Sequence, residues 1–258
     1  MLFGYPIWAI VVICVGVFLA SFVDAIGGGG GIISLPTYLL AGLPIHNALG
    51  TGKLASCLGT AASTFRYVKN KCVDWPLAIV SIPLALIGSY VGTKLQLAID
   101  EKYLKYLLLI VLPIVAAVLF KKKTFPEHRG NIRPWKQRSI VWLASFVLGA
   151  YDGFYGPGAG TFMLLCFCHL AKMDLRSASG NMKLVNLSSN IASLVVSLMA
   201  GKVLIGIGLL AAAFSIAGHY FGAGAAIKNG SKIVRPVILV VILLLAVKII
   251  LELFGLSF

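Results

Sequence analysis

Long apolar runs, separated by short basic or glycine-rich interruptions, make up most of the chain. Residues 7–23, 79–91, 106–120 and 237–251 are near-continuous apolar stretches. An α-helix needs about 20 apolar residues to cross a bilayer, and each run reaches or approaches that length. None alternates with period two, as strands of an outer-membrane barrel would. The pattern predicts an all-α polytopic membrane protein. Ten segments are expected, at about 6–26, 30–43, 47–67, 76–98 and 103–120, then at about 138–152, 158–171, 177–200, 203–226 and 232–254.

Those segments fall into two sets because the chain repeats itself. DAIGGGGGII at 24–33 has a relative in DGFYGPGAGTF at 152–162, 128 residues on. GTGKL at 50–54 matches GNMKL at 180–184, and IGSYVG at 87–92 matches AGHYFG at 217–222, both 130 residues on. Three matches in the same order at nearly one spacing predict a first transmembrane repeat over 1–120 and a second over 139–258. The basic, proline-containing stretch KKKTFPEHRGNIRPWKQR at 121–138 is expected to be a cytoplasmic linker. Gly88 and Gly92, like Gly218 and Gly222, have the four-residue spacing of small residues that lets helices approach closely in lipid.

The second segment of each set is short. Fourteen helical residues cover roughly 21 Å at 1.5 Å per residue, against a hydrocarbon core of about 30 Å. If these segments span, each half has five crossings and the halves are inverted. If they re-enter, each half has four and the halves are parallel. Lysine and arginine accumulate on the cytoplasmic side. With the linker inside, the inverted arrangement places 15 basic residues inside and 4 outside (Lys94, Lys102, Lys105 and Lys202), and the parallel one 11 and 8. The inverted arrangement fits better and puts both termini outside.

Composition sharpens this picture. The chain is 59% hydrophobic and 12% charged, with a mean hydropathy of +0.97. Soluble domains carry roughly 25% charged residues. The net charge of +14 follows from the basic loops, so no nucleic-acid partner is expected. MLFGYP lacks a positive start and no small-x-small cleavage site precedes Asp24, so the first segment reads as a retained helix. The five cysteines form no CxxC pair and no metal spacing. They read as small buried apolar side chains, and neither a metal nor a cofactor is expected.

The glycine runs carry the candidate chemistry. Glycine costs a helix about 1 kcal/mol relative to alanine, so five in a row mark a broken helix. At membrane depth, broken backbone is tolerated only inside protein or along a cavity. GPGAG at 156–160 makes the corresponding break in the second half. Paired breaks in two halves point to a transporter binding site, and free N–H groups at the next helix start attract anions. Beside the breaks stand Asp24 and Asp152, and farther on Lys53 and Lys183. Each such charge costs roughly 2.5–3.5 kcal/mol to insert, so each should face a cavity or a partner. Lys183, Asn186 and Asn190 share a helix face, and Lys53, Ser56 and Thr60 repeat that spacing.

The expected anion site comprises Lys53, Lys183, Gly29, Gly30, Gly31, Gly158, Gly160, Asn47, Thr51, Ser56, Asn181, Asn186 and Asn190. Asp24 and Asp152 serve either as coupling carboxylates or as structural acceptors for the broken helices. The alternative for the lysines is that each pairs with the aspartate of its own half or snorkels to an interface. ALGTGKL resembles a phosphate loop only in part, since Asn47 and Leu54 break that pattern. His219 reads as a hydrogen-bonded packing residue, and Lys248 as a snorkelling one. Paired catalytic carboxylates, HExxH and a serine elbow are all missing, so no enzyme is expected.

DAIGGGGGIISLP, ALGTGKLA, DGFYGPGAGTF and SASGNMKLVNLSSNIASL together resemble the TauE/SafE family of membrane transporters, from about residue 8 to about 250. The resemblance implies a carrier of sulfur-containing anions such as sulfite, sulfoacetate, other sulfonates or thiosulfate, mostly exporting, in the cytoplasmic membrane. With the residues above, it implies a secondary transporter working by alternating access, with a small anionic substrate and the lipid bilayer as its partners. An anion channel or uniporter is the runner-up, and an intramembrane enzyme the remote alternative.

Overall fold

A computed structural model describes residues 1–100, 102–103, 126, 128–230, 232–233 and 236. The fifth apolar segments, expected at 103–120 and 232–254, lie almost wholly outside the described residues. So do Lys105, Lys248 and residues 121–125 of the linker. The described chain is helical, with no strand. In chain order it forms α1 (Ile7–Gly27), α2 (Gly31–Leu40), α3 (Ile45–Lys69), α4 (Trp75–Ala98), α5 (Pro134–Phe154), α6 (Ala159–Leu165), α7 (Leu175–Met199) and α8 (Ile205–Asn229). A wider π turn, Cys166–Leu170, continues α6. Both glycine breaks are therefore real interruptions, at residues 28–30 and 155–158. ALGTGKL lies wholly inside α3 rather than in a loop.

Of these helices, α1, α4, α7 and α8 are long and apolar enough to cross a membrane. Their outward faces carry large exposed apolar side chains, among them Val15, Leu19, Ile79, Ile87, Leu95, Leu209 and Phe221. A soluble protein rarely exposes such a continuous apolar surface. Trp8, Trp75 and Trp135 are exposed near helix starts, where amphipathic rings suit the bilayer interface. Inside, small and hydroxyl residues fill the contacts between helices.

The helices run in two opposed groups. Gly218 abuts Phe18 and Gly222 abuts Phe22, so α8 lies parallel to α1. Gly88 abuts Phe146 and Gly92 abuts Ala150, so α4 lies parallel to α5. These contacts correspond position by position at the two sequence spacings. A Cβ at any of the four glycines would overlap neighbouring backbone. Each half thus lends its fourth helix to the first helix of the other. The third helices, α3 and α7, meet at the centre and run antiparallel. At one end Arg176, opening α7, donates to the Asn70 carbonyl behind α3 (3.1 Å). At the other the Leu204 amide behind α7 donates to Thr51 Oγ1 near the start of α3 (3.0 Å).

The basic loops share one end. The Gly130 amide donates to the Lys172 carbonyl (2.9 Å) and the Leu175 amide to the Pro126 carbonyl (2.9 Å), while the Gln137 side chain donates to the Ala171 carbonyl (2.8 Å). Residues 171–174 therefore lie beside the end of the linker. α6 has run back alongside α5 instead of turning around at the far side. Arg129 bridges Asp74 (2.9 Å) and Asp174 (3.1 Å), the residues preceding α4 and α7. Asp174 also accepts from the Ser177 amide (2.9 Å), capping α7. Burial works against the charged form of Asp174, yet the Ser177 bonds and Arg129 outweigh it and hold the carboxyl below its ordinary value.

Candidate functional site

The two glycine breaks meet. Gly28 takes the left-handed φ of +70°, and a Cβ there would overlap the Gly160 backbone; a Cβ at Gly160 would lie 2.8 Å from Gly28 Cα. Gly31 approaches Pro157 as closely, at 3.0 Å for the same test. Thr161 donates to the carbonyls of Gly27 (2.9 Å) and Gly28. Only glycine permits backbone to pass backbone at that distance, which explains why this stretch of a membrane protein is its least helical. Asp24, one turn before the first break, accepts from the Gly30 amide (3.1 Å). The carboxylate thus holds the far side of the break in place, and it takes up one of the N–H groups that could have received an anion.

The lysines cross between the halves. Lys183 Nζ lies 2.6 Å from Asp24 Oδ2 and donates also to the Asp24 carbonyl (2.6 Å). Lys53 Nζ lies 3.0 Å from Asp152 Oδ2 and donates to Asn190 Oδ1 (3.0 Å). The alternative of pairing within one half is not the arrangement found: each lysine takes the aspartate of the other half. The reason is the swapped packing, in which antiparallel α3 and α7 each bring a lysine to the opposite break.

The surroundings of the two pairs differ. Asp152 Oδ2 also accepts from Ser189 Oγ and, at 3.5 Å, from Asn186 Nδ2. At the place matching Ser189 the first half has Gly59, where a Cβ would crowd Ser215 and, at 2.5 Å, His219. His219 fills that space. Its Nε2 lies 3.8 Å from Asp24 Oδ2 and its Nδ1 pairs with Ser63 Oγ (3.1 Å), the hydrogen-bonded packing its setting suggested. Lys183 is 0% exposed and Lys53 is 11% exposed.

A cavity of about 70 Å³ adjoins the pairs. A single water needs roughly 10–15 Å³ on the same measure, so the space holds several waters or a small solute. Of the residues expected at the site, Lys53, Gly30, Gly31, Gly158, Gly160, Ser56, Asn186 and Asn190 line it, together with Asp24 and Asp152. Lys183 stands behind Asp24. Gly29, Asn47, Thr51 and Asn181 are not among the lining residues. Thr51 instead accepts from Leu204, and Asn181 donates to the Ser177 carbonyl of its own helix (2.8 Å). Tyr38, Tyr155 and His219 also line the cavity without having been singled out as ligands. Tyr38 is buried and its hydroxyl has no hydrogen-bond partner among the described residues. An aromatic in a short apolar segment carries no sequence signal that separates a cavity wall from core packing.

The cavity lies toward the end away from the basic loops, since it follows the first half of α3 from Ala48 to Ser56. Nearer the basic end the corresponding positions carry bulkier side chains: Met182, wholly buried, stands where the first half has Gly52, and Phe162, half-buried, stands where it has Ser34.

Residues 13–249 match the family described as "Sulfite exporter TauE/SafE". The chain is 33% identical to a "Probable membrane transporter protein" of Haemophilus influenzae, over 93% of either chain. It is 31% identical to one of Escherichia coli, over 92% of this chain and 88% of that one, and 32% identical to one of a Sinorhizobium species, over 91% and 90%. No solved structure matches. With its apolar spanning helices and a family match covering most of its length, the chain is a multi-pass membrane transporter and belongs to the TauE/SafE family.

Proposed function

We propose that this protein carries small sulfur-containing anions, such as sulfite, sulfoacetate or other sulfonates, outward across the cell membrane by alternating access around the cavity between the two breaks. The observation that carries the reading is the crossed pair of lysines beside two abutting helix breaks, with Lys53 on the wall of the cavity between them. Broken helices meeting between two halves are where secondary transporters bind their cargo. Cargo class and direction rest on the family description.

In this reading the chain comprises repeats 1–120 and 139–258, inverted about an axis in the membrane plane and joined by a cytoplasmic linker, 121–138. The antiparallel α3 and α7 and the nearness of residues 171–174 to the linker support it. The two groups of helices rock against each other. In this reading the conformation is the one open toward the end away from the linker, a view supported by the bulk of Met182 and Phe162 nearer the linker side.

The test is calorimetric titration of the purified protein with sulfite, sulfoacetate, thiosulfate, taurine and chloride, on the wild type and on Lys53→Ala/Lys183→Ala. Saturable binding of one oxyanion, lost in the double variant, is expected. Binding indifferent to the lysines would return them to structural pairing. In proteoliposomes, labelled anion should show counterflow, which a channel does not support, and should emerge chemically unchanged, which an enzyme would not allow.

A further inference from the structure

We infer that an anion binding at Lys53 brings one proton with it, and that the proton is held by Asp152 and not by Asp24. The inference rests on the anion-site reading above and assigns its coupling group. The argument starts from charge. Lys53 with Asp152 and Lys183 with Asp24 form two matched pairs, so with His219 neutral the site carries no net charge. A monoanion entering it would leave one negative charge uncompensated in a largely desolvated space, which is costly. One proton restores the balance.

Geometry selects the acceptor. Both carboxylate oxygens of Asp24 are engaged, Oδ1 by the Gly30 amide (3.1 Å) and Oδ2 by Lys183 (2.6 Å). Protonating Asp24 would loosen the first break and strand Lys183, which is fully enclosed. Asp152 is different. Its Oδ2 gathers Lys53, Ser189 and Asn186, while its Oδ1 takes no hydrogen bond from the described residues. Oδ1 faces Gly156 on the cavity wall, where an added Cβ would stand 3.4 Å from it. A proton delivered by cavity water as hydronium lands on Oδ1, and water leaves. Ser189 and Asn186 still satisfy Oδ2. Lys53 keeps Asn190 (3.0 Å) and turns its charge to the anion.

The groups facing Asp152 are few. Lys53 comes from α3, and Asn186 and Ser189 from α7. From α4, Thr93 donates to the neighbouring Gly153 carbonyl and Ser89 abuts Gly153. On α5 itself, the Tyr151 hydroxyl is turned to the Pro157 carbonyl, and Tyr155 lines the same cavity. Asp24 of α1 and His219 of α8 also line that cavity and lie against each other, with Lys183 of α7 on Asp24. His219 is the competing acceptor, and the experiment separates the two.

The experiment is calorimetry with methanesulfonate and thiosulfate, whose charges are constant across the weakly acidic to neutral range, in pairs of buffers of different ionisation enthalpy. Wild type should take up close to one proton per methanesulfonate and lose affinity toward tenfold per pH unit as the solution turns alkaline. Asp152→Asn should bind without uptake, with an affinity independent of pH and higher than wild type at the alkaline end. His219→Gln should keep the uptake per bound anion. Wild-type binding without proton uptake overturns the inference, and this arm needs no variant to fold. Uptake that survives Asp152→Asn, or vanishes only in His219→Gln, overturns the assignment to Asp152. If the wild type binds no anion in either this or the earlier titration, the anion site itself falls and the coupling with it.

Discussion

Lys183 and Lys53 hold equivalent places in their halves, each eight residues into a third helix and each paired with an aspartate one turn before a glycine break. Their settings have nevertheless diverged. Lys183 is enclosed, grips the carboxylate and the carbonyl of one residue, and leaves Asp24 to brace the first break. Lys53 keeps a face on the cavity and shares Asp152 with a hydroxyl and an amide. In the proposed reading the first pair is a fastening and the second an exchangeable contact. Two small changes account for much of the difference. Gly59 in place of a serine admits His219 beside Asp24, and Gly52 in place of a methionine leaves the cavity open beside Lys53.

The comparison breaks most readily at the lysines. Lys183→Met should cost about 3–5 kcal/mol, the usual result of breaking a buried pair by removing one partner, because the wholly enclosed lysine holds both the carboxylate and the carbonyl of Asp24, read as a lowered denaturation midpoint in detergent. Adding Asp24→Asn should recover most of it. Lys53→Met should cost clearly less, because Lys53 is partly exposed and Asp152 retains Ser189 and Asn186 as donors, yet it should abolish anion binding. Equal losses from the two substitutions would mean the pairs are not differentiated.

Next come the glycines. Gly28→Ala combines a left-handed φ with overlap of the Gly160 backbone, an expected loss of about 2–4 kcal/mol. Gly42→Ala has a similar φ of +87° but open space around it, so only about 1–2 kcal/mol should be lost. The two values converging would argue against close approach of the breaks. Gly92→Ala and Gly222→Ala probe what the halves still share: about 1–3 kcal/mol each, and nearly the same for both.

The smallest effect lies at the loop end. Asp174→Asn should cost about 1 kcal/mol, through the lost ion pair with Arg129 and the lost negative charge at the start of α7, since asparagine still caps. The folded carboxyl titrates below its ordinary value. Its contribution is therefore fully present above the unfolded carboxylate range near 3.9 and disappears as pH falls through the lower, folded value. Midpoints of wild type and variant should converge over that acidic window. A gap that persists there would point away from the Arg129 clasp.

The helices were legible because a bilayer leaves the chain little choice. Lipid demands runs of apolar residues with internally satisfied backbone, and the observed α3, Ile45–Lys69, differs from the expected 47–67 by two residues at each end. The two breaks were legible for the same reason, since glycine runs at membrane depth have no other common use. Gly88 and Gly92 were recognisable as packing positions from their spacing alone. Which residues line the cavity was legible only in part. Lys53, Asn186 and Asn190 followed from a shared helix face, whereas Thr51 and Asn181 sit on polar helices but turn to neighbouring backbone.

From its sequence alone this protein is a helical membrane chain written twice, with a charged glycine break in each copy. Those features are local, and each arises from what a single segment must do in lipid. Only the tertiary structure decided that the lysines cross, that the breaks touch, and that one lysine is sealed while the other faces a cavity. Such properties depend on how two halves interleave. A helix carries its lysine at the same height whichever aspartate waits for it, and only the packing of the opposite half chooses the partner and the space left beside it.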